Sequence, residues 1–305
     1  MKKYLISKQS LQHLNNQQGM TILELLVSSF LGLLIVGMAF STLMSSQRTV
    51  TGDINRTRLS QNLRSVMDFL AVDSRQAGEQ LPGIFPAIAL ADGGGTNPDT
   101  LTFRRNIISE SLTICSNINA GSNLGNINLT TNSGGRPPVC VHGSQKVAYD
   151  SWNDYLAEKG GEFKAYIFNT STRQGEFFTI TGLSDAGSTM NLIASNKTFT
   201  NTYPRYTSVL YVIEEWQYSL SNDRELILVE NQDNLAAKKI AFDITGFQVS
   251  IKLNDGSSLD TFDDTNRWGN ISAIEISLEG ESSSGKQIYK DSLNSKFFPR
   301  NILSL

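Results

Sequence analysis

The chain is poor in the side chains on which most hydrolases and zinc enzymes depend. Its 305 residues include two cysteines and two histidines, and charged residues make up only 18%. One histidine, His13, lies close to the amino terminus, so a catalytic triad would have to use His142. No recognisable nucleophile motif or zinc ligand set accompanies His142. The sequence therefore predicts a protein that is not an enzyme and that holds no metal and no cofactor.

A surplus of positive charge is also missing. The formal net charge is −3, and removal of Lys2, Lys3 and Lys8 lowers it by three to −6. General electrostatic binding to nucleic acid needs the opposite sign, so no nucleic-acid partner is predicted. A possible stripe of arginines on a helix is interpreted as a solvated or intersubunit face, and its members are Arg56, Arg58, Arg64 and Arg75.

An ordinary signal-peptide cleavage site is absent after the long apolar segment. Uncharged residues run from Leu25 to Ser46, about 33 Å of helix at roughly 1.5 Å per residue. That length crosses a hydrocarbon core of about 30 Å, but no A-x-A-like site follows it. Residues 1–19 carry lysines and no acidic side chain. By the positive-inside rule they stay cytoplasmic, and the bulk of the chain is exported to the periplasm.

The small residue that stands out precedes the apolar segment. Gly19 is followed by Met20, and Glu24 is the single charge that interrupts the apolar run. A carboxylate at the edge of a membrane segment is costly unless it is paired. Glu24 therefore either has a partner or lies at the interfacial water of an ordinary membrane anchor.

This arrangement resembles the class III, or prepilin-type, signal. The resemblance implies that a dedicated inner-membrane prepilin peptidase cleaves between Gly19 and Met20. Met20 then becomes the N-methylated first residue and Glu24 the fifth. In a filament, the Glu24 carboxylate would pair with the amine of Met20 of a neighbouring subunit or of the same chain. Such a buried pair would fix the axial register of the subunits.

The rest of the chain divides by composition. We expect a cleaved leader (1–19), a transmembrane and filament-core helix (20–46) and its amphipathic continuation (47–78). A loop-rich insert with short strands (79–144) and an antiparallel β-sheet region (145–305) follow. The continuation has apolar residues at roughly helical spacing, namely Val50, Ile54, Leu59, Leu63, Val66 and Leu70, with Met67 and Phe69 widening the stripe.

Strand signals follow the helix. Short strands are expected at Thr100–Arg104 and Leu112–Cys115, whereas Asn117–Asn132 is expected to be irregular. Further strands are predicted at Phe163–Phe168, Phe177–Thr181, Met190–Ala194, Val209–Leu220 and Glu225–Val229, with a hairpin at Ser221–Asp223. Alternating apolar residues mark two more, around Phe247–Ile251 and Ile274–Leu278. A stem helix covering the buried face of this sheet gives an α+β fold.

The two cysteines, Cys115 and Cys140, predict a disulfide. Oxidised cysteines persist in the periplasm. The loop between them is about 25 residues long, and closing it contributes roughly 3.5 kcal/mol before strain is subtracted. The intervening segment is rich in Asn, Gly, Ser and Pro, so little else would hold it. Two free thiols are the alternative.

Acidic side chains offer two further candidate sites. A Gly-containing loop carries carboxylates that could bind calcium, at Asp255, Asp260, Asp263 and Asp264. Their spacing does not match an EF-hand, and we favour a solvated loop. Glu214 and Glu215 are adjacent in a predicted strand, where neighbours face opposite sides. They are therefore a poor acid and base pair.

The carboxy-terminal half is similar to PilW-type minor pilins. The matching segments are Leu228–Asn231, Ile244–Val249, the Asp-rich loop ending at Trp268, the strand Ile271–Leu278 and Phe298–Asn301, and Arg75–Gly78 at the end of the stem is also similar. The resemblance implies a type IV pilin-like fold, a role in pilus assembly at low copy number, and partners among the other minor pilins, the major pilin and the inner-membrane assembly platform. A J-type pseudopilin of type II secretion is the alternative, and a membrane-anchored periplasmic enzyme is a remote one.

Overall fold

The computed structural model describes residues 20–132, 134–284 and 287–304. The predicted leader, Gly19 included, lies outside this range. The chain divides into two units, and the boundary falls between Ile54 and Asn55.

The first helix, α1, spans Ile22–Gln76. In the first unit its large apolar side chains, from Ile22 to Met44, are between 44% and 83% exposed. A helix that is apolar on all sides is stable in a membrane or inside an assembly rather than in water. By length and composition, α1 is the one helix among the described residues that could cross a membrane. It could therefore anchor the chain in a membrane.

In the second unit, α1 packs on antiparallel sheets through the predicted stripe. Leu59, Leu63, Val66 and Leu70 are each at most 1% exposed, and Met67 is also buried. Three residues assigned to this stripe are exposed instead of buried. Phe69 is 54% exposed, because it lies about 100° around the helix from Leu70. Val50 and Ile54, on the other side of the unit boundary, are also exposed.

Fifteen strands and a second helix are formed by the described residues after α1. In chain order they are β1 Ile88–Ala91, β2 Thr100–Asn106, β3 Leu112–Thr113, β4 Asn123–Asn128, α2 Lys146–Glu158, β5 Phe163–Asn169, β6 Gly175–Asp185, β7 Met190–Thr198, β8 Ser208–Tyr211, β9 Ile213–Leu220, β10 Leu226–Glu230, β11 Lys238–Ala241, β12 Ile244–Leu253, β13 Ser258–Leu259, β14 Ile271–Ser284 and β15 Gln287–Phe297.

The strands form three sheets, and every pairing is antiparallel. A five-stranded sheet has the order β1-β2-β9-β10-β11, and a four-stranded sheet has the order β13-β12-β14-β15. A six-stranded sheet has the order β3-β8-β5-β6-β7-β4. A long helix with antiparallel sheets confirms the α+β class.

Two hydrophobic cores lie on opposite faces of the six-stranded sheet. The first core contains residues of α1, of the two smaller sheets and of one face of β5, including Tyr166 and Phe168. The second core contains Trp152 of α2 and the other face of β5, including Ala165 and Ile167. Because β5 is covered on both faces, its apolar residues form a nearly continuous run instead of alternating with polar ones.

Most of the predicted strands are confirmed. Strands β5, β6 and β7 cover the predicted segments. The Ser221–Asp223 hairpin joins β9 to β10, with Leu220 paired to Leu226. The two alternating segments become β12 and β14, in which Val249 is paired with Ile276.

Three predictions differ from the structure. The segment Val209–Leu220 is not one strand, because β8 and β9 are separated at Val212 and belong to different sheets. Asn117–Asn132 is not irregular throughout, since β4 pairs with β7 in its middle. The region after residue 145 begins with α2 rather than a strand, and α2 buries Tyr149 and Trp152.

Candidate functional site

The predicted register carboxylate, Glu24, lies in the first turn of α1 and caps that helix. The backbone N–H and the hydroxyl of Thr21 donate to Glu24 Oε2, at 3.3 and 3.4 Å. The N–H of Glu24 donates in return to Thr21 Oγ1 at 3.3 Å. This reciprocal pattern is a capping box, which satisfies amides that have no partner inside the helix. The T-x-x-E spacing could have revealed it from the sequence.

The capping box leaves part of the Glu24 carboxylate available. Both Thr21 contacts use Oε2, and Oε1 has no partner among the residues that the structure describes. Met20, the predicted new amino terminus, is 70% exposed. A negative side chain in the first turn is also favoured by the helix dipole. The Glu24 carboxylate can therefore keep the cap through Oε2 and, at the same time, accept a hydrogen bond from a cationic group through Oε1.

The predicted disulfide between Cys115 and Cys140 is present, with the Cα atoms 5.8 Å apart. Both residues are buried. The Cys115 N–H donates to the carbonyl of Asn128 at 2.8 Å, and the Cys140 carbonyl accepts from Thr131 N–H at 3.0 Å. The disulfide therefore attaches Cys140 to the segment just after β3, and the hydrogen bond of Cys115 connects that segment to β4. Neither sulfur is a free thiol nucleophile.

Gln145 reinforces the same region, and the sequence analysis missed it. Its side-chain amide donates to the carbonyls of Thr113 at 3.0 Å and Leu129 at 2.9 Å. Its carbonyl accepts from Thr113 N–H at 2.6 Å. Gln145 is 6% exposed and directly precedes α2. The three hydrogen bonds of this buried amide hold the start of α2 beside β3.

The adjacent carboxylates Glu214 and Glu215 pair with different arginines, as their opposite orientation requires. Glu215 is 2% exposed and its carboxylate lies 2.5 Å from Nε of Arg104. The Nη1 atom of the same arginine donates to the carbonyl of Pro86 at 2.7 Å. Glu214 lies 2.6 Å from Arg105. Each carboxylate is neutralised within its own cross-strand pair. The pairs hold β2 against β9 and do not form an acid and base couple.

A half-buried carboxylate, Asp73, connects α1 to β9. It accepts a hydrogen bond from the hydroxyl of Tyr218. Burial raises the pKa of Asp73 above its usual range, although this hydrogen bond acts in the opposite direction. Burial and the nearby Asp73 charge also raise the pKa of Tyr218. Tyr218 belongs to the first core, so we interpret the pair as structural.

The lone His142 contacts a carboxylate on another element. Its Nε2 lies 2.9 Å from Asp185 Oδ1, and Lys146 lies 3.5 Å from the other oxygen of Asp185. The hydrogen bond with His142 lowers the pKa of Asp185. All three side chains are partly exposed. The cluster links the start of α2 to the end of β6 at the surface.

The acidic loop uses its carboxylates in local turns. Asp255 accepts from the N–H and hydroxyl of Ser257 at 2.9 and 2.6 Å. Asp263 accepts from the N–H and hydroxyl of Thr265 at 2.8 and 2.6 Å. These hydrogen bonds lower the pKa of both carboxyls. Within residues 20–132, 134–284 and 287–304, no group of three or more His, Cys, Asp or Glu is placed to hold a metal ion.

Comparison with protein-family models, with curated proteins and with solved structures found no match to this chain. Function is therefore inferred from the residues and contacts of the chain itself.

Proposed function

We propose that this chain is a minor pilin that takes part in type IV pilus assembly. The observation that carries the proposal is the position of Gly19 and Met20 directly before α1, with Glu24 in its first turn, and the continuation of that apolar helix onto an antiparallel sheet. An ordinary membrane anchor needs only the apolar helix. Such an anchor does not need a glycine just before the helix or a carboxylate five positions after that glycine. Gly19 and Glu24 therefore require a further explanation.

The proposed mechanism is physical rather than enzymatic. The prepilin peptidase removes residues 1–19, and the apolar part of α1 holds the subunit in the inner membrane with its remaining domain in the periplasm. During assembly the same surface leaves the lipid and packs against the helices of the major pilin and of other minor pilins. The exposed side chains from Ile22 to Met44 suit both environments. The inner-membrane assembly platform would drive the transfer, and the assembled subunit would lie in the extracellular pilus.

The capping box supports the proposed role of Glu24. The Oε2 atom is committed to Thr21, whereas cleavage would create a positive amine on Met20 close to the same helix end. In a helix bundle that excludes water, Oε1 would accept from such an amine, and each buried charge would be neutralised. We propose that this pair sets the axial register between subunits.

The test is a count of surface pili in a strain that lacks this gene. Restoring the wild-type gene should restore pili, while Gly19→Val should not, because β-branched bulk at that position blocks cleavage. Glu24→Ala should be processed normally and still give few pili, since the register pair is lost, and Glu24→Gln, which can keep the capping box, should give equally few. Gln18→Ala, next to the proposed cleavage site, is the matched control and should behave as wild type.

Three other results would contradict parts of this proposal. Normal pili with defective export of secreted enzymes would favour the J-type pseudopilin. Full rescue by Gly19→Val would contradict processing at this position. Normal assembly with Glu24→Ala would contradict the register pair alone.

A further inference from the structure

Among the described residues, β15 is the longest strand at the edge of a sheet. This strand ends the four-stranded sheet and pairs with β14 over eleven residues without a register shift. The other edge strands, β1, β3, β4, β11 and β13, have only two to six residues. Short or bulged edges are the usual protection against pairing with another chain. Strand β15 lacks both of these features and contains no proline. Charged side chains also protect edges, but those of β15, Lys290, Asp291 and Lys296, each already have a partner within the chain.

One contact identifies the backbone groups at the free edge. The N–H of Ser292 donates to the Asp291 side chain at 3.0 Å, so it points away from β14. Because N–H and C=O of one residue point to the same side of an antiparallel strand and alternate along it, every second residue presents both groups outward. These residues are Ile288, Lys290, Ser292, Asn294 and Lys296.

The helix beside this edge carries positive charge. The hydroxyl of Ser60 donates to the carboxylate of Asp291, which places α1 next to the middle of β15. Arg56 and Arg64 lie one turn before and one turn after Ser60, on the same side of the helix. Both are exposed, and neither has a carboxylate partner in the part of the chain that the structure describes. Asp291, bonded to Ser60 between them, is the one acidic side chain that a contact places here, and it supplies one negative charge for two arginines.

The lysines of β15 add little to this imbalance. Lys296 lies 2.6 Å from Glu275, and Lys290 lies 3.3 Å from Glu281. Their charges are balanced on the outer face of the sheet. The charge that remains without a carboxylate partner is that of Arg56 and Arg64 on α1. A strand added at this edge would therefore need acidic side chains on the side that faces α1.

A second copy of this chain does not supply such a strand. The other edge strands have the sequences IALA, LT, NLGNIN, KKIA and SL, and none contains an acid. Strand β15 itself has one acid, Asp291, which is already bonded to Ser60 and Ser292. Charge complementarity thus favours a different polypeptide.

We propose that the free edge of β15 binds an extended, acidic strand of a different polypeptide by β-strand addition. Backbone hydrogen bonds to the outward groups of β15 give the affinity, and carboxylates opposite Arg56 and Arg64 select the partner. This inference does not depend on the assignment as a minor pilin, because it follows from the edge and its charges alone.

The test uses the full-length chain in detergent and a synthetic, fluorescently labelled peptide of sequence Thr-Glu-Val-Glu-Val-Glu-Thr. We expect saturable binding by fluorescence anisotropy and slower amide hydrogen exchange in residues 287–297. The same peptide N-methylated at alternate residues should not bind, because it cannot form the backbone ladder. A version with Lys in place of Glu should bind more weakly.

Two variants separate the ladder from the charges. Asn294→Pro removes one outward N–H and blocks the edge, so binding should weaken by roughly tenfold or more, whereas Asn294→Ala keeps the N–H and should bind normally. Arg56→Glu combined with Arg64→Glu should reverse the preference, so that the Lys peptide binds better than the Glu peptide.

Three outcomes would overturn the proposal. One is the absence of protection in residues 287–297 with the acidic peptide. Another is equal binding of the Glu and Lys peptides to the wild-type chain. The third is protection of the same residues by self-association of the chain without peptide, which would identify a second copy as the occupant. The charge-reversal variant leaves β15 unchanged, so the test remains decisive even if Asn294→Pro fails to fold.

Discussion

Replacing Cys115 and Cys140 by serine is expected to lower the free energy of unfolding of the second unit by about 3 to 4 kcal/mol. The disulfide closes a loop with a sequence separation of 25, and loss of that constraint alone contributes roughly 3.5 kcal/mol through the entropy of the unfolded chain. Both residues are buried between β3, β4 and the residues before α2, so repacking would restore little of this stability.

Denaturant unfolding of the full-length chain in detergent, followed by tryptophan fluorescence, would measure the change. Reductant should destabilise the wild-type chain by a similar amount and leave the double variant unaffected, which provides the control. A loss below about 1 kcal/mol would mean that Gln145 and the sheet hold this segment without the disulfide.

Replacing Gly78 by alanine is expected to destabilise the second unit by about 2 to 5 kcal/mol, the sum of backbone strain and overpacking. Gly78 follows the end of α1 with φ +77°, and its N–H donates to the carbonyl of Arg104 at 2.8 Å. A Cβ there would lie 2.2 Å from a ring carbon of Trp268, which is fully buried. Neither the ring nor the end of α1 can move without disturbing the first core.

Gly121→Ala is the matched control for this prediction. Gly121 has φ +81°, but a Cβ there would meet no atom within 4 Å. It should therefore show the backbone strain alone, about 1 to 2 kcal/mol. Thermal or denaturant unfolding of both variants measures the difference. Equal losses would show that the contact between Gly78 and Trp268 does not limit packing.

The stem helix could be predicted because its signal is local. Leu59, Leu63 and Leu70 recur with the helical period, and packing on one side of α1 makes that period visible in the sequence. The local pattern fails at Phe69 because this residue lies at the border of the stripe. Its apolar character alone does not show whether it faces the core or the solvent. The T-x-x-E cap at Thr21 was also local and could have been found.

Non-local pairing explains most of what the sequence analysis missed. Strand β4 has one buried residue, Ile127, and exists because β7 pairs with it. The apolar run from Val209 to Leu220 has no feature that reveals a change of sheet at Val212. Helix α2, in contrast, has a local signal, because Tyr149, Trp152 and Leu156 follow the helical spacing. That spacing could have predicted the helix. The approach of Trp268 to Gly78 joins residues 190 positions apart, so no local pattern encodes it.

The most direct test of the proposed function is mass spectrometry of the amino terminus of this chain in purified pili. We expect a single mature form that begins with N-methylated Met20 and lacks residues 1–19, with an intact Gly19-containing precursor in cells without the prepilin peptidase. A chain that retains its leader, or that begins after the apolar helix, would contradict assignment as a processed pilus subunit.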